Sequence, residues 1–297
     1  MKNANFLIAP ARDITAVAYG ACRTLAVALT MSLAAHVHAA EPPLRTAVDG
    51  SFAPHAFAKL DGGLQGFNID LVQELAKRMK REITIDSATF SGLIPALNAG
   101  RYDFLSSPIS ATPERTHNLL FTEGYLYTEW QFAIRQGEAP IKDLSQLKGK
   151  TIAVNKGSPY HKWALDHESK YGFRTLPFET QPDAIQAVVG GRAYATLAGN
   201  TTVKYMATQI PRIVPDMTLT DTRAPFALPF KRGNEAMRNE VERALECLKA
   251  DGTLARISEK WFGSKPGGDA LEVNIAPGFG LVGLPGYDDT PHELECD

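Results

Sequence analysis

Ser107-Pro108-Ile109-Ser110-Ala111-Thr112-Pro113-Glu114-Arg115 puts two serines, a threonine and an arginine directly after a β-rich stretch. A guanidinium at such a strand end can grip a carboxylate through two parallel N–H···O bonds, and short hydroxyls can add to the grip. The same residues read as a helix start, with Thr112 as N-cap and Pro113 at the first helical position, and the two readings are compatible. A second candidate is Asn155-Lys156-Gly157-Ser158-Pro159, between a strand and a helix. Free amides at a helix N-terminus favour an anion, and Gly157 lets a ligand come close to the backbone; an ordinary strand-to-helix turn has the same composition. Phe52 and Phe90 each sit in what reads as a loop after a strand, suited to stacking on a ligand or to core packing.

Other chemistries are not signalled. The seven histidines are scattered, without metal-ligand spacing, so neither a metal site nor a cofactor is expected. No Gly-x-Ser-x-Gly nucleophile motif occurs, and nothing makes any carboxylate pair catalytic. The 297 residues carry a formal charge of -2, against the basic stripe that nucleic acid requires. Outside the amino terminus no stretch approaches a membrane span.

That terminus reads as an export signal over residues 1–40. Lys2, Arg12 and Arg23 precede an apolar run from Thr24 to Ala35, and Val37-His38-Ala39 offers a small-residue cleavage site. Cys22 lies before the apolar run, so no lipid-anchored cysteine is expected, and the mature chain should be a periplasmic monomer free in solution. Removal of the leader leaves Cys247 and Cys296, which in an oxidising compartment are a natural disulfide pair; two free thiols are the alternative.

The elements that position these residues alternate in type. Strands are expected at Leu44–Asp49, Ile83–Ser87, Tyr102–Ser106, Trp130–Arg135, Thr151–Val154 and Ala193–Leu197, and helices at Asn68–Arg81, Gly92–Ala99, Tyr160–Tyr171 and Pro182–Val189. Strand-helix-strand order implies an α/β chain with parallel sheets. Residues 211–229 read as irregular, and Glu235–Ala250 and Gly252–Trp261 as closing helices. From Ser264 onward glycine and proline dominate, predicting an extended tail held against the body. No internal repeat or low-complexity tract is found.

Taken together, these segments resemble family 3 of the bacterial extracellular solute-binding proteins, the polar amino-acid binders of ABC transporters. Gly66-Phe67-Asn68-Ile69-Asp70-Leu71 is similar to the family's Gly-Phe-Asp-Ile-Asp-Leu, and Phe90 to Leu97 with Gly100-Arg101-Tyr102-Asp103 matches its next helix and strand. Thr112-Pro113-Glu114-Arg115 fits its Thr-x-x-Arg signature. Leu147-Lys148-Gly149-Lys150 with Gly157-Ser158 resembles the opening of its second lobe. Leu248 to Thr253 and Lys260-Trp261-Phe262-Gly263 resemble its closing helices. The likeness runs from about Leu44 to Gly263.

The resemblance implies a type II periplasmic-binding-protein fold, two α/β lobes joined by two hinge strands near Tyr127–Phe132 and Arg223–Leu228. Lobe 1 would be discontinuous, 44–129 plus 225–263; lobe 2 would be 130–224; 264–297 would be an extension outside the family core. It further implies a ligand site in which Arg115 holds a carboxylate, helped by Ser107, Ser110 and the backbone near Gly157 and Ser158. Phe52 and Phe90 would sandwich the ligand and Asp49 would line the pocket. The implied function is capture of a small carboxylate solute, a polar amino acid or related organic acid, for delivery to a membrane permease of an ABC transporter. Ligand contacts with both lobes would stabilise the closed state.

Two positions depart from the family pattern. Amino-acid binders usually place an aspartate for the ligand ammonium where this chain has Gly199; Asn200 beside it can accept a hydrogen bond but carries no charge. Pro108 has no N–H to donate where the family often has glycine or serine. These departures leave room for an enzyme on the same fold, akin to periplasmic cyclohexadienyl dehydratases, or for a binding partner of a redox or sensory system.

Overall fold

The computed structural model describes residues 41–296. The expected export signal, with Cys22, lies outside the described residues.

In the first lobe, β1 (Leu44–Val48) pairs in parallel with β5 (Ile83–Ser87). The short β2 (Ser51–Phe52), β3 (Ala56–Ala58) and β4 (Leu64–Gln65) form an antiparallel meander between them. Helix α1 (Phe67–Arg78) follows because Ile69, Leu71, Val72 and Leu75 fall on one face and are buried there. Burying each such side chain stabilises the fold by roughly 1.5–3 kcal/mol. Helix α2 (Phe90–Asn98) buries Leu93 and Leu97. The expected strand at 102–106 does not form as a ladder, because its amides bond in two directions. Asp103 N donates to Arg45 O (2.8 Å) and Ser106 N to Ala47 O (3.1 Å), whereas Leu105 N donates to Pro229 O (3.0 Å). The segment therefore stitches β1 to β13 (Pro229–Lys231), itself paired with β7 (Leu119–Phe121).

The second lobe is built on a six-stranded sheet. Its members are β6 (Ile109–Ser110), β8 (Leu126–Arg135), β9 (Thr151–Asn155), β10 (Arg174–Phe178), β11 (Ala195–Gly199) and β12 (Ile213–Ala227), in the order β10-β9-β11-β8-β12-β6. Only β10-β9-β11 is parallel; β8 lies antiparallel to β11 and to β12, so the sheet is mixed, not parallel as strand-helix alternation implies. Residues 213–227 are strand, not irregular. The four prolines at 211, 215, 225 and 229 concealed it, and the ladder accommodates them with register shifts between Pro215 and Thr218 and between Leu219 and Ala224. Between β6 and β7, residues Pro113–Thr116 form the short helix α3. Helices α4 (Pro159–Tyr171), α5 (Gln181–Val189) and α6 (Asn200–Gln209) pack around the sheet.

Helices α7 (Glu235–Ala250) and α8 (Thr253–Phe262) return to the first lobe, where Val241, Leu245, Leu248 and Leu254 join Phe67, Leu71 and Phe230 in one core. The tail after α8 lies against α7. Phe279 is buried and stacks on His292 with ring centroids 3.9 Å apart, and His292 Nε2 meets Glu246 of α7 at 2.8 Å. Cys247 and Cys296 stand with Cα atoms 5.5 Å apart, within the span of a disulfide. We propose that they are bonded. Closing a loop of this length is worth about 3–4 kcal/mol. Reduction is therefore expected to lower the thermal midpoint by several degrees, and free-thiol titration of the unfolded, unreduced protein to find no thiol at either position. Two reactive thiols per chain at Cys247 and Cys296 would rule the bond out.

Candidate functional site

The site is assembled from the start of α3. Thr112 caps this helix by accepting from Arg115 N (3.4 Å), and Pro113 fixes its first turn. The cap aims the Arg115 side chain back toward the sheet, where Nη1 donates to Ser110 O (3.1 Å) and Nη2 to Gly157 O (3.4 Å). Its guanidinium lies 5.8 Å from the centroid of the Phe90 ring. Burial lowers its pKa to about 10, which leaves it cationic at neutral pH. Among the described residues its hydrogen-bond acceptors are two carbonyls and Glu114 acts on it only through its charge, so a bound carboxylate would supply a directly paired counter-charge.

Asp49 follows β1 and is 2% exposed. Its Oδ1 accepts from Ser51 N (3.0 Å) and Ser51 Oγ (2.6 Å), while Oδ2 is buried with no hydrogen-bond partner. Burial raises its pKa above the usual carboxylate range, against the opposing effect of the Ser51 bonds and the Phe90 amide. Both charges act on Tyr160, in the first turn of α4. Burial pushes its phenol up, the charge of Asp49 pushes it further, and Arg115 opposes both. Trp130 Nε1 and Thr128 Oγ1, both on β8, are likewise buried without partners, and the Trp130 and Tyr160 rings meet edge-on at 6.2 Å. The sequence did not single out Tyr160, Thr128 or Trp130. Tyr160 follows the Ser158 cap by two residues, the one local signal that could have found it.

The remaining expected residues fall out unevenly. Phe52 and Phe90 are not in loops: Phe52 ends β2, and Phe90 opens α2. Both are buried, and Phe52 packs into the core of the second lobe although its strand belongs to the first. Ser107 Oγ accepts from Asp49 N (3.3 Å); Pro108 and Ser110 are buried beside it. The amides expected to receive an anion are already taken. Gly157 N donates to His161 Nδ1 (3.2 Å), and both Ser158 N (3.3 Å) and Ser158 Oγ (2.6 Å) donate to Asn155 O. Gly157 has φ +76°, and a Cβ there would meet Ser91 Cα at 3.2 Å, so its glycine admits the facing lobe. Asn200 accepts from Thr201 N (2.8 Å) at the start of α6. Gly199 ends β11, and a Cβ on it would stand 2.9 Å from Thr128 Oγ1, so that hydroxyl fills the space of the missing side chain.

The two lobes are therefore in contact. Arg115 reaches Gly157, and Glu179 accepts from Ser91 Oγ (3.1 Å) and pairs with Lys156 Nζ (2.7 Å). At this seam a groove of about 500 Å³ is lined by Arg115, Trp130, Gly157, Ser158 and Ile94. It gathers Arg115, Gly157 and Ser158 from the expected set; Asp49, Phe52 and Phe90 are buried away from its lining.

A profile of the bacterial extracellular solute-binding proteins, family 3, matches residues 44–264. The chain belongs to this family. It is 31% identical to a putative amino-acid ABC transporter-binding protein, PatH, of Vibrio harveyi, over 81% of this chain and 96% of that one. It is 29% identical to the probable amino-acid-binding protein YxeM of Bacillus subtilis, over 74% and 83% of the two chains. An ancestral arginine-binding protein bound to arginine superposes with a TM-score of 0.71 at 29% identity, covering 74% of this chain and 98% of that one. Two α/β lobes with mixed sheets are the type II periplasmic-binding fold. All three of these relatives are named as binding proteins. As a family 3 member the chain is an extracytoplasmic amino-acid-binding component that works with an ABC transporter permease.

Proposed function

We propose that this family 3 protein binds a basic amino acid, its carboxylate on Arg115 and its cationic end on Asp49. The observation that carries this reading is a pair of opposite charges that both act on Tyr160: a part-buried arginine whose hydrogen-bond acceptors among the described residues are two carbonyls, and a buried aspartate with one unpaired oxygen. A ligand bearing both charges satisfies both groups, and a simple carboxylate satisfies one. With Gly199 in place of the family's ammonium-binding aspartate, Asp49 becomes the principal cation acceptor. The tightly capped turn at Ser158 supports α4, and through it Tyr160. The lobe boundaries 44–129 plus 225–263 and 130–224 are part of the proposal, supported by the register shift of β12 between Leu219 and Ala224, opposite β8.

Unfolding midpoints measured with L-arginine, L-lysine, L-glutamate and propionate test it. Ligand at about 100 times its Kd adds roughly 2.7 kcal/mol, so L-arginine or L-lysine is expected to raise the midpoint by several degrees. A larger shift with glutamate or propionate would overturn the assignment. Asp49→Asn is expected to weaken binding of the basic amino acid about tenfold or more, the worth of one charge-assisted bond. Calorimetry finding equal affinity for both proteins would remove Asp49 from the site.

A further inference from the structure

His55 lies in the tight connection between β2 and β3 and is fully buried. Its Nδ1 is 3.0 Å from Asn68 Oδ1, and its Nε2 is 2.9 Å from Thr201 Oγ1. Asn68 spends its amide protons on Ser106 O (2.8 Å) and Tyr125 Oη (2.7 Å), so its oxygen faces His55 as an acceptor. That orientation puts the proton on Nδ1 and leaves Nε2 to accept from the Thr201 hydroxyl. Asn68 is on α1 of the first lobe, and Thr201 is in the first turn of α6 of the second. The bond therefore spans the cleft.

The ring's surroundings are apolar. Phe67 of α1, Phe52 of β2, Phe226 of β12 and Phe262 of α8 stand around it, with ring centroids between 5.5 and 6.1 Å away. The polar groups facing it are Asn68 and Thr201, and no charged side chain faces it among the described residues. Tyr125, reached through Asn68, is held neutral by burial. An imidazolium here would be a cation in a cage of phenylalanines without a carboxylate, which costs far more than it does in water.

We propose that His55 is a positioning residue for lobe closure: its neutral ring joins the lobes through Thr201, and its protonation in the open form favours opening. In the contacted lobes burial lowers the pKa of His55 to about 4. Opening removes Thr201 and exposes the Nε2 side of the ring to water, which moves the value back toward its ordinary level of about 6.5. The open form then binds a proton between these values and the closed form does not, so closure is fully available above about pH 6.5 and is lost as pH falls toward 4. Asp49 acts in the opposite sense. Its pKa is raised in the contacted lobes, so its protonation favours closure on acidification.

The test is the closed-to-open ratio of the full protein without ligand, read from the distance between site-specific labels at Lys77 on α1 and Lys170 on α4. From pH 7.5 to pH 5.0 the ratio of the wild type is expected to fall about tenfold or more. His55→Gln keeps a donor and an acceptor but does not titrate, and its ratio is expected not to fall, rising to the extent that Asp49 takes up its proton. A wild-type ratio that does not change, no closed population at either pH, or an equally steep fall in His55→Gln would each overturn the proposal. Because no ligand is present, the result is independent of whether Arg115 and Asp49 bind a basic amino acid.

Discussion

Arg115→Ala is expected to leave the protein folded and to weaken binding of the basic amino acid by at least about a hundredfold. Charge-assisted hydrogen bonds are worth roughly 1.5–3 kcal/mol each, and a forked guanidinium makes two of them to one carboxylate. Stability should change little, because Arg115 bonds two carbonyls at the cleft and is not an anchor of either core. Arg115→Lys separates charge from geometry: it keeps the cation, loses the fork, and is expected to fall between wild type and alanine. Calorimetry at pH 7.5 measures all three. An alanine variant with wild-type affinity would take the carboxylate away from Arg115.

Lys249→Met is expected to destabilise the fold by about 3–5 kcal/mol, the cost of leaving one member of a buried ion pair alone. Lys249 Nζ stands 2.9 Å from Glu123 Oε1, and both side chains are almost wholly out of solvent. The ammonium also donates to Gly124 O (2.7 Å) and to Asn274 O (2.9 Å) of the tail. Glu123 Oε2 accepts in turn from Ala276 N (2.7 Å). Burial pushes Glu123 up and Lys249 down, so each is held charged chiefly by the other. Methionine matches the volume of the stem but strands Glu123, and it frees two carbonyls at once. Denaturant unfolding should show the loss, and Glu123→Gln added to Lys249→Met should recover part of it. A single variant within about 1 kcal/mol of wild type would mean that the tail does not depend on this pair.

What the sequence reveals depends on how local each feature is. Thr112-Pro113-Glu114-Arg115 is a cap and a side chain within four residues, so Arg115 could be read directly. The α7 face of Val241, Leu245 and Leu248 could be read from its period. Strand β12 could not, since its pairing is set by β8 far earlier in the chain and its prolines mimic a loop. Tyr160 belongs to the site only because Asp49 and Arg115 of the facing lobe come up against it. The Lys249–Glu123 pair spans more than a hundred residues and, through Asn274, a tail without periodicity. His55 carries no local sign of its role, because Thr201 supplies half of it from the other lobe.

The hydroxyl of Thr128 in the space beside Gly199 also limits how this binding site can be rewritten. An aspartate at 199 needs room that Thr128 Oγ1, 2.9 Å from the would-be Cβ, now occupies. Gly199→Asp made first should therefore be a losing step, whereas made after Thr128→Ala it should fit and gain a charge for the α-ammonium. The two positions are therefore expected to be epistatic, and a lineage or a protein engineer moving between the two kinds of cation recognition would gain by changing Thr128 before Gly199.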